Sequence, residues 1–83
     1  MTQAARNATQ IGAIVRRARR KAGMSQAQLG ARVGPRQATI SKLERGEPAT
    51  RLQTLLDVLS ALGLEVLIDR RGRKSARDLE RLF

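Results

Sequence analysis

The sequence predicts an all-α domain of four to five short helices, followed by one short C-terminal β-strand that pairs with a second copy. Apolar residues recur with helical spacing in separate stretches, capping signals precede several of them, and glycines stand where helices would end. With 83 residues, the chain is near the lower size limit of a self-sufficient core. The predicted organisation is a flexible N-terminus (1–10), a domain with its dimerisation strand (11–69) and a basic tail (70–83).

The first predicted helix is amphipathic and ends at Gly23, and Asn7 or Thr9 is its candidate N-cap. Its apolar face consists of Ile11, Ile14, Val15, Ala18 and Ala22. The opposite face carries a run of cations: Arg16, Arg17, Arg19, Arg20 and Lys21. This run exceeds what a favourable interaction with the helix dipole requires. We therefore expect a mixed role, as a solvated face and as a phosphate-contacting flank through Arg16 and Arg20.

Two short helices separated by a tight turn follow, in the stretch 24–46, MSQAQLGARVGPRQATISKLERG. Ser25 is the predicted N-cap of the first, and Gln28, three residues on, completes a capping box. Gly34 and Pro35 stop this helix, because glycine tolerates positive φ and proline disfavours helical geometry in the residue before it.

The second of these helices places Ile40 and Leu43 inward, leaves a polar face outward and ends at Gly46. Two helices joined by an angular turn, with a polar outer face, predict a helix-turn-helix. The segments SQAQLGARVG and PRQATISKLERG resemble the lambda-repressor-like, Cro/repressor-type helix-turn-helix family over roughly residues 11–62. With LGLEVLIDRR after the last helix, the chain is most similar to the HipB-type antitoxins of that superfamily.

The motif places candidate DNA contacts, because a recognition helix enters the major groove with its N-terminal residues near base edges. By that geometry and by position in the family motif, the candidate base-contacting residues are Arg36, Gln37, Ala38 and Ser41. The candidate phosphate-contacting residues are Ser25, Gln26, Thr39, Lys42, Arg45, Arg16 and Arg20. Arg36 can pair with guanine, and Ala38 can contact only a thymine methyl. Gln37 can either pair with adenine or lie at the edge of a half-site. Many relatives have a second glutamine at the position of Ala38, so this departure leaves the base preference open.

The fourth predicted helix opens with a second capping box, Thr50 with Gln53, and ends at Gly63. Its apolar stripe, expected to form the centre of the core, consists of Leu52, Leu55, Leu56, Leu59 and Leu62.

Residues 64–69, LEVLID, alternate in character and contain β-branched residues, which predicts a strand. A lone strand leaves backbone groups unpaired, and a two-fold dimer pairs them most simply. HipB-type proteins, which this segment resembles, form dimers through such a strand pair. The predicted dimerisation residues are Leu64, Val66, Leu67 and Ile68. The alternative is that these residues extend the fourth helix, although Gly63 and the change of period weigh against it.

The tail begins with a basic run, RRGRK, and Ser75 with Asp78 can cap one further helical turn. That turn would carry Leu79, Leu82 and Phe83, which are candidate contacts for a partner. Two interpretations stay open: the turn folds back onto the dimer, or Phe83 anchors in a pocket of another protein.

Composition limits the function classes. A net charge of +10 indicates a polyanionic partner, with nucleic acid as the leading candidate. No apolar run approaches the ~18 residues of a membrane span, and residues 1–9 have no apolar signal core, so a cytoplasmic protein is expected. The sequence has no histidine or cysteine, and its carboxylates are scattered. We therefore expect neither an enzyme nor a metal or other cofactor.

The resemblance implies a transcriptional repressor that binds a palindromic double-stranded DNA operator as a homodimer. It further implies the antitoxin of a toxin–antitoxin module, which regulates its own operon and binds a kinase-type toxin. A stand-alone or phage-type repressor without a toxin is one alternative. A protein that inhibits an enzyme mainly by contact is another. RNA binding is less favoured, because the chain has no aromatic platform for exposed bases.

Overall fold

The computed structural model describes residues 2–34 and 37–71, and for Gln37 and Ala38 it describes the backbone only. The described chain forms four helices: α1 (Ala8–Lys21), α2 (Gln26–Arg32), α3 (Gln37–Glu44) and α4 (Leu52–Ala61). The predicted all-α fold class is confirmed, with α2 and α3 as the two helices of the motif. The predicted tail contacts Leu79, Leu82 and Phe83 lie outside the described residues.

The start of α1 is fixed by a side-chain cap. The backbone N–H of Gln10 donates to Asn7 Oδ1 at 2.8 Å, so Asn7 rather than Thr9 is the N-cap. The helix therefore begins at Ala8, inside the segment that was expected to be the flexible N-terminus.

Three helices end in the same way, at the predicted glycines. Gly23, Gly46 and Gly63 follow α1, α3 and α4 with φ of 73°, 81° and 72°, a conformation that glycine adopts without strain. The residue after each glycine donates its N–H back into the last turn, as in a Schellman motif. These bonds run from Met24 to Arg19 O, from Glu47 to Lys42 O and from Leu64 to Leu59 O, at 3.1, 3.1 and 2.8 Å.

The core is shared among the helices. Its largest fully buried side chains are Val15, Leu29, Ile40 and Val58, one from each helix. The inward orientation predicted for Ile40 and Leu43 is confirmed, with both side chains buried. The fourth helix is not the sole centre of the core, as was expected, because α3 supplies as many buried apolar side chains (Ile40, Leu43) as α4 does (Val58, Leu59).

The capping box predicted for Thr50 and Gln53 is wrong. Arg51 is the N-cap of α4, and its side chain makes no capping hydrogen bond. The helix begins one residue later than predicted, so Gln53 is its second residue rather than its third and is out of register for a box. Gln53 Nε2 instead donates to Asp57 Oδ1, one turn on, at 2.9 Å.

The apolar stripe of α4 is rotated relative to the prediction. Leu52 and Leu56 are 69% and 39% exposed, so their assignment to the core is wrong. The buried face contains Thr54, Val58 and Leu59. Thr54 and Val58 lie four residues apart and each directly precedes a leucine of the predicted stripe, so the buried face is shifted by one position. A pattern that counts only apolar residues overlooks the buried threonine.

α1 and α3 approach so closely that glycine is required where their backbones meet. A Cβ atom added at Gly12 would clash with the carbonyl oxygen of Leu43 and lie 2.8 Å from that of Glu44. A Cβ added at Gly46 would lie 2.7 Å from Thr9 Cα. α1 therefore lies directly against the last turn of α3 and the residue that follows its cap.

The C-terminal segment, residues 64–70, has neither helix nor strand in the single chain. The alternative that it extends the fourth helix is wrong, because α4 ends at Ala61 and Gly63 has a left-handed φ. A strand here requires a second chain, so pairing across a dimer stays a prediction. None of the helices in residues 2–34 and 37–71 is long and apolar enough to cross a membrane.

Candidate nucleic-acid interface

The capping box predicted at the start of α2 is present. The Ser25 hydroxyl oxygen accepts from the backbone N–H of Gln28 at 3.0 Å, and Gln28 Oε1 accepts from the backbone N–H of Ser25 at 2.8 Å. Because Ser25 Oγ serves as an acceptor in this box, its own hydroxyl hydrogen is available to donate to a phosphate oxygen.

The turn between α2 and α3 begins at Gly34, where φ is 112°. Arg36 lies outside the described residues, and so do the side chains of Gln37 and Ala38. Ser41 is therefore the predicted base contact whose side chain can be located. It is half-buried and lies one helical turn after Gln37 in α3.

Just after the C-terminal end of α3, Arg45 forms hydrogen bonds with Ser41 and Glu47. Arg45 Nη1 donates to Ser41 Oγ at 3.3 Å, while its Nε and Nη2 donate to Glu47 Oε2 at 3.2 and 2.9 Å. The side chains of Arg45 and Glu47 are 63% and 47% exposed. Surface ion pairs of this kind contribute at most about 1 kcal/mol, so an anion of a ligand can displace Glu47 from Arg45.

The remaining predicted phosphate contacts differ in exposure. On α3, Lys42 is exposed and Thr39 is half-buried; on α1, Arg16 and Arg20 are exposed. Because α1 packs against the end of α3, the exposed cations Arg16 and Arg20 lie on the helix next to the one that carries Lys42. Arg16 is close enough to Glu44 for its charge to help lower the pKa of that carboxyl.

Arg19, which the sequence places with the outward cations, is in fact buried, and that assignment is wrong. Its Nε donates to Glu44 Oε2 at 2.6 Å, its Nη2 to Glu44 Oε1 at 3.0 Å, and its Nη1 to the carbonyl oxygen of Met24 at 2.8 Å. Only 10% of the Arg19 side chain and 3% of the Glu44 side chain are exposed. The spacing of Arg19 from Val15, four residues along the buried face, is the signal that could have revealed it.

Gln26 completes this network, because its Nε2 donates to Glu44 Oε1 at 3.2 Å. Burial alone would raise the pKa of Glu44, but hydrogen bonds from Arg19 and Gln26, with the charges of Arg19 and Arg16, outweigh it and hold that pKa below its ordinary value. The hydrogen bond to Glu44 raises the pKa of Arg19 in turn, against the opposing effect of burial. Both groups are therefore charged at neutral pH, and one carboxylate ties α3 to α1 and α2.

The C-terminal segment forms one side of an apolar groove of about 460 Å³. The groove is lined from α1 by Ile11 and Ile14, from α4 by Leu55 and Leu59, and from the segment by Leu64, Val66 and Leu67. Leu64 packs against the core. Val66, Leu67 and Ile68 are 51%, 65% and 95% exposed, so three of the four predicted dimerisation residues are open to solvent in the single chain.

Comparisons with known proteins place the motif in context. The helix-turn-helix family model matches residues 15–67, and a search of curated proteins finds no match. Among solved structures, a chain of a HipA-HipB-O2-O3 complex is 28% identical, with 86% of this chain and 100% of that chain covered and a TM-score of 0.78. A HipB variant in complex with an O2 20-mer is 29% identical, with 87% of this chain and 100% of that chain covered and a TM-score of 0.79. The chain of a HipB-O4 20-mer complex is 28% identical, with 86% of this chain and 100% of that chain covered and a TM-score of 0.78. The resemblances drawn from the sequence are confirmed.

Proposed function

The chain belongs to the Cro/CI-like helix-turn-helix family, and on this premise we propose that it is a sequence-specific DNA-binding transcriptional repressor without enzymatic activity. In finer terms, we propose an antitoxin that acts in the cytoplasm on the operator of its own operon. The observation that carries the proposal is the match of its fold to complete HipB chains in complexes with O2 and O4 20-mers.

In this proposal α3 lies in the major groove and α2 lies across the DNA backbone. Arg36, Gln37, Ala38 and Ser41 contact bases. Ser25, Gln26, Thr39, Lys42, Arg45, Arg16 and Arg20 contact phosphates. The net charge of +10 and the exposed cations on neighbouring helices support a polyanionic ligand.

We expect two substitutions in α3 and its cap to separate base reading from phosphate binding. Gln37→Ala should relax the preference for a duplex that has been selected for tight binding to the unmodified chain, since a side-chain amide pairs with a base edge. Arg45→Ala should weaken binding to every sequence and make the slope of log K against log salt about 0.9 less steep for each phosphate that is no longer neutralised. Fluorescence anisotropy with the selected and a scrambled duplex, over a salt series, measures both. A sequence preference unchanged by Gln37→Ala would remove Gln37 from the base contacts.

We also expect Glu47→Gln to strengthen DNA binding by about two- to fivefold, because it frees Arg45 from a surface ion pair of modest strength. The matched control is Asp57→Asn, which removes the same charge from an exposed position of α4 that is not among the proposed DNA or dimer contacts. Competition titrations at one salt concentration compare the two variants. Equal gains would show that net charge, rather than the release of Arg45, is responsible.

A dimer through residues 64–69 is part of the proposal. The exposure of Val66, Leu67 and Ile68 supports it, because a second copy would cover these aliphatic side chains and pair the strand. A two-fold dimer would read a palindrome whose half-sites lie about 34 Å apart. We expect Ile68→Glu to shift the sedimentation profile from dimer to monomer, whereas Ser60→Glu, an exposed position of α4, should leave it unchanged. A dimer that survives Ile68→Glu would refute this interface.

The toxin is the finer part of the proposal. The similar HipA-HipB-O2-O3 complex contains a second protein, and the HipB-type resemblance implies a kinase-type toxin here. The test is a pull-down from source cells with the full chain and with a chain that ends at Arg71, after digestion of DNA. Retention of a stoichiometric protein by the full chain alone would support an antitoxin whose tail, with Leu79, Leu82 and Phe83, makes the contact.

The same pull-down separates the alternatives. If neither chain retains a protein while DNA binding is intact, the chain is a stand-alone repressor. If the retained protein is an enzyme that remains inhibited by a chain carrying Arg36→Ala and Gln37→Ala, and the unmodified chain shows no sequence preference for DNA, inhibition by contact is the main function.

A further inference from the structure

The hydrogen bond between Gln26 and Glu44 assigns a role to a residue outside the predicted DNA contacts. We propose that Glu44 is a positioning residue, which holds the carboxamide of Gln26 in the orientation that donates to a DNA phosphate. This inference rests on the proposed function, because it concerns the phosphate contact of a DNA-binding protein.

The first step is the chemistry of the carboxylate. Both oxygens of Glu44 accept from Arg19, at 2.6 and 3.0 Å, and Oε1 also accepts from Gln26 at 3.2 Å. An ionised carboxylate can only accept hydrogen bonds. Its ionised state follows from the buried pairing with Arg19.

The second step is the orientation of the amide. The nitrogen and oxygen of a glutamine side chain are told apart by their hydrogen-bond partners. Because Glu44 accepts, Nε2 of Gln26 must face it, and Oε1 must face away. The second hydrogen of the same nitrogen is then left to donate, and a phosphate oxygen, which only accepts, can bind Gln26 only through it.

The third step is the connection that the bond makes. Gln26 is the first residue of α2 and Glu44 is the last residue of α3, so the bond joins the backbone-contacting helix to the base-contacting helix. Without Glu44, the half-buried Gln26 side chain could rotate and present either end of its amide. A side chain that is already held loses less entropy on binding.

The test is a double-mutant cycle on DNA affinity, measured with the full chain and a mixed-sequence duplex over a salt series. Gln26→Ala should weaken binding by about tenfold, as expected for a hydrogen bond to a charged group. It should leave the salt slope unchanged, because glutamine carries no charge and releases no counterion. Arg20→Ala is the control that should change the slope. If Glu44 positions Gln26, the loss caused by Gln26→Ala should shrink to about twofold in a Glu44→Met background, where no acceptor for Gln26 remains.

Glu44→Met leaves Arg19 buried without its counter-charge and can prevent folding, so a second background is needed. Arg19→Met with Glu44→Met removes the ion pair as a whole, which buried pairs often tolerate, and also removes the acceptor for Gln26. The loss caused by Gln26→Ala should again be about twofold.

The outcomes are distinct. The same tenfold loss in every background, or no loss in the unmodified chain, would overturn the positioning role. Absence of DNA binding by the unmodified chain would overturn the proposed function itself, and with it the inference.

Discussion

Arg19→Met is expected to destabilise the protein by about 3–5 kcal/mol, because it leaves the buried Glu44 carboxylate without its counter-charge. The substitution removes two hydrogen bonds to Glu44 and one to the carbonyl of Met24 together. Urea unfolding followed by circular dichroism measures the destabilisation. Adding Glu44→Met should restore much of the stability, since an apolar pair replaces an ionic one. If the double variant is as unstable as the single one, the missing packing of Arg19, not the uncompensated charge, is the cause.

The pH dependence of the same pair has a definite sign. In the unmodified chain the pKa of Glu44 is held below its ordinary value of 4.5. The stability that Glu44 contributes is therefore present above that value and is lost as pH falls through the lower native pKa. In the Arg19→Met variant, burial is the largest remaining influence and favours the protonated acid. The loss of stability of the Arg19→Met variant, relative to the unmodified chain, should thus be greatest at neutral pH and smaller near about pH 4.

Gly46→Ala is expected to cost about 3 kcal/mol, the sum of two separate effects. At φ of 81° an alanine is strained. Its methyl group would also lie 2.7 Å from Thr9 Cα and 3.1 Å from Thr9 N, and those backbone atoms move only if α1 shifts away from the end of α3.

Gly63→Ala is the matched control for this prediction. Gly63 has nearly the same φ, 72°, and the same place after a helix, but an added Cβ there meets no atom within 4 Å. It should therefore cost only the conformational strain, about 1 kcal/mol. Thermal or urea unfolding of the two variants gives the difference. Equal losses of stability would show that the contact with Thr9 relaxes without cost.

Much of the fold could be predicted from the sequence where the signal is local. The cap and box of Ser25 and the glycine stops depend on neighbours within a few residues, and the structure has them where predicted. Apart from the local capping box of Thr50 and Gln53, the predictions that failed depend on contacts between distant residues. The burial of Arg19 requires a carboxylate 25 positions away, and the rotation of the α4 stripe requires a threonine that is buried by other helices.

In the candidate site, too, the local features could be predicted and the contacts between separate elements could not. The motif positions of Ser41 and Gln26 could be predicted, because their spacing within two helices defines the motif. Their partners could not. The bonds of Arg45 to Ser41 and Glu47, and of Gln26 to Glu44, depend on how the ends of α2 and α3 meet in space.

Helix α3 combines residues for two separate purposes in eight positions. Ile40, Leu43 and Glu44 anchor it to the rest of the protein, while the half-buried Ser41 and the exposed Lys42 between them are not part of the core. Substitution of the outward positions can therefore redirect the protein to a new target without a new solution to its folding. In evolutionary terms, base recognition can drift while the architecture is kept, whereas Glu44, which both anchors α3 and bonds Gln26, is tied to both purposes.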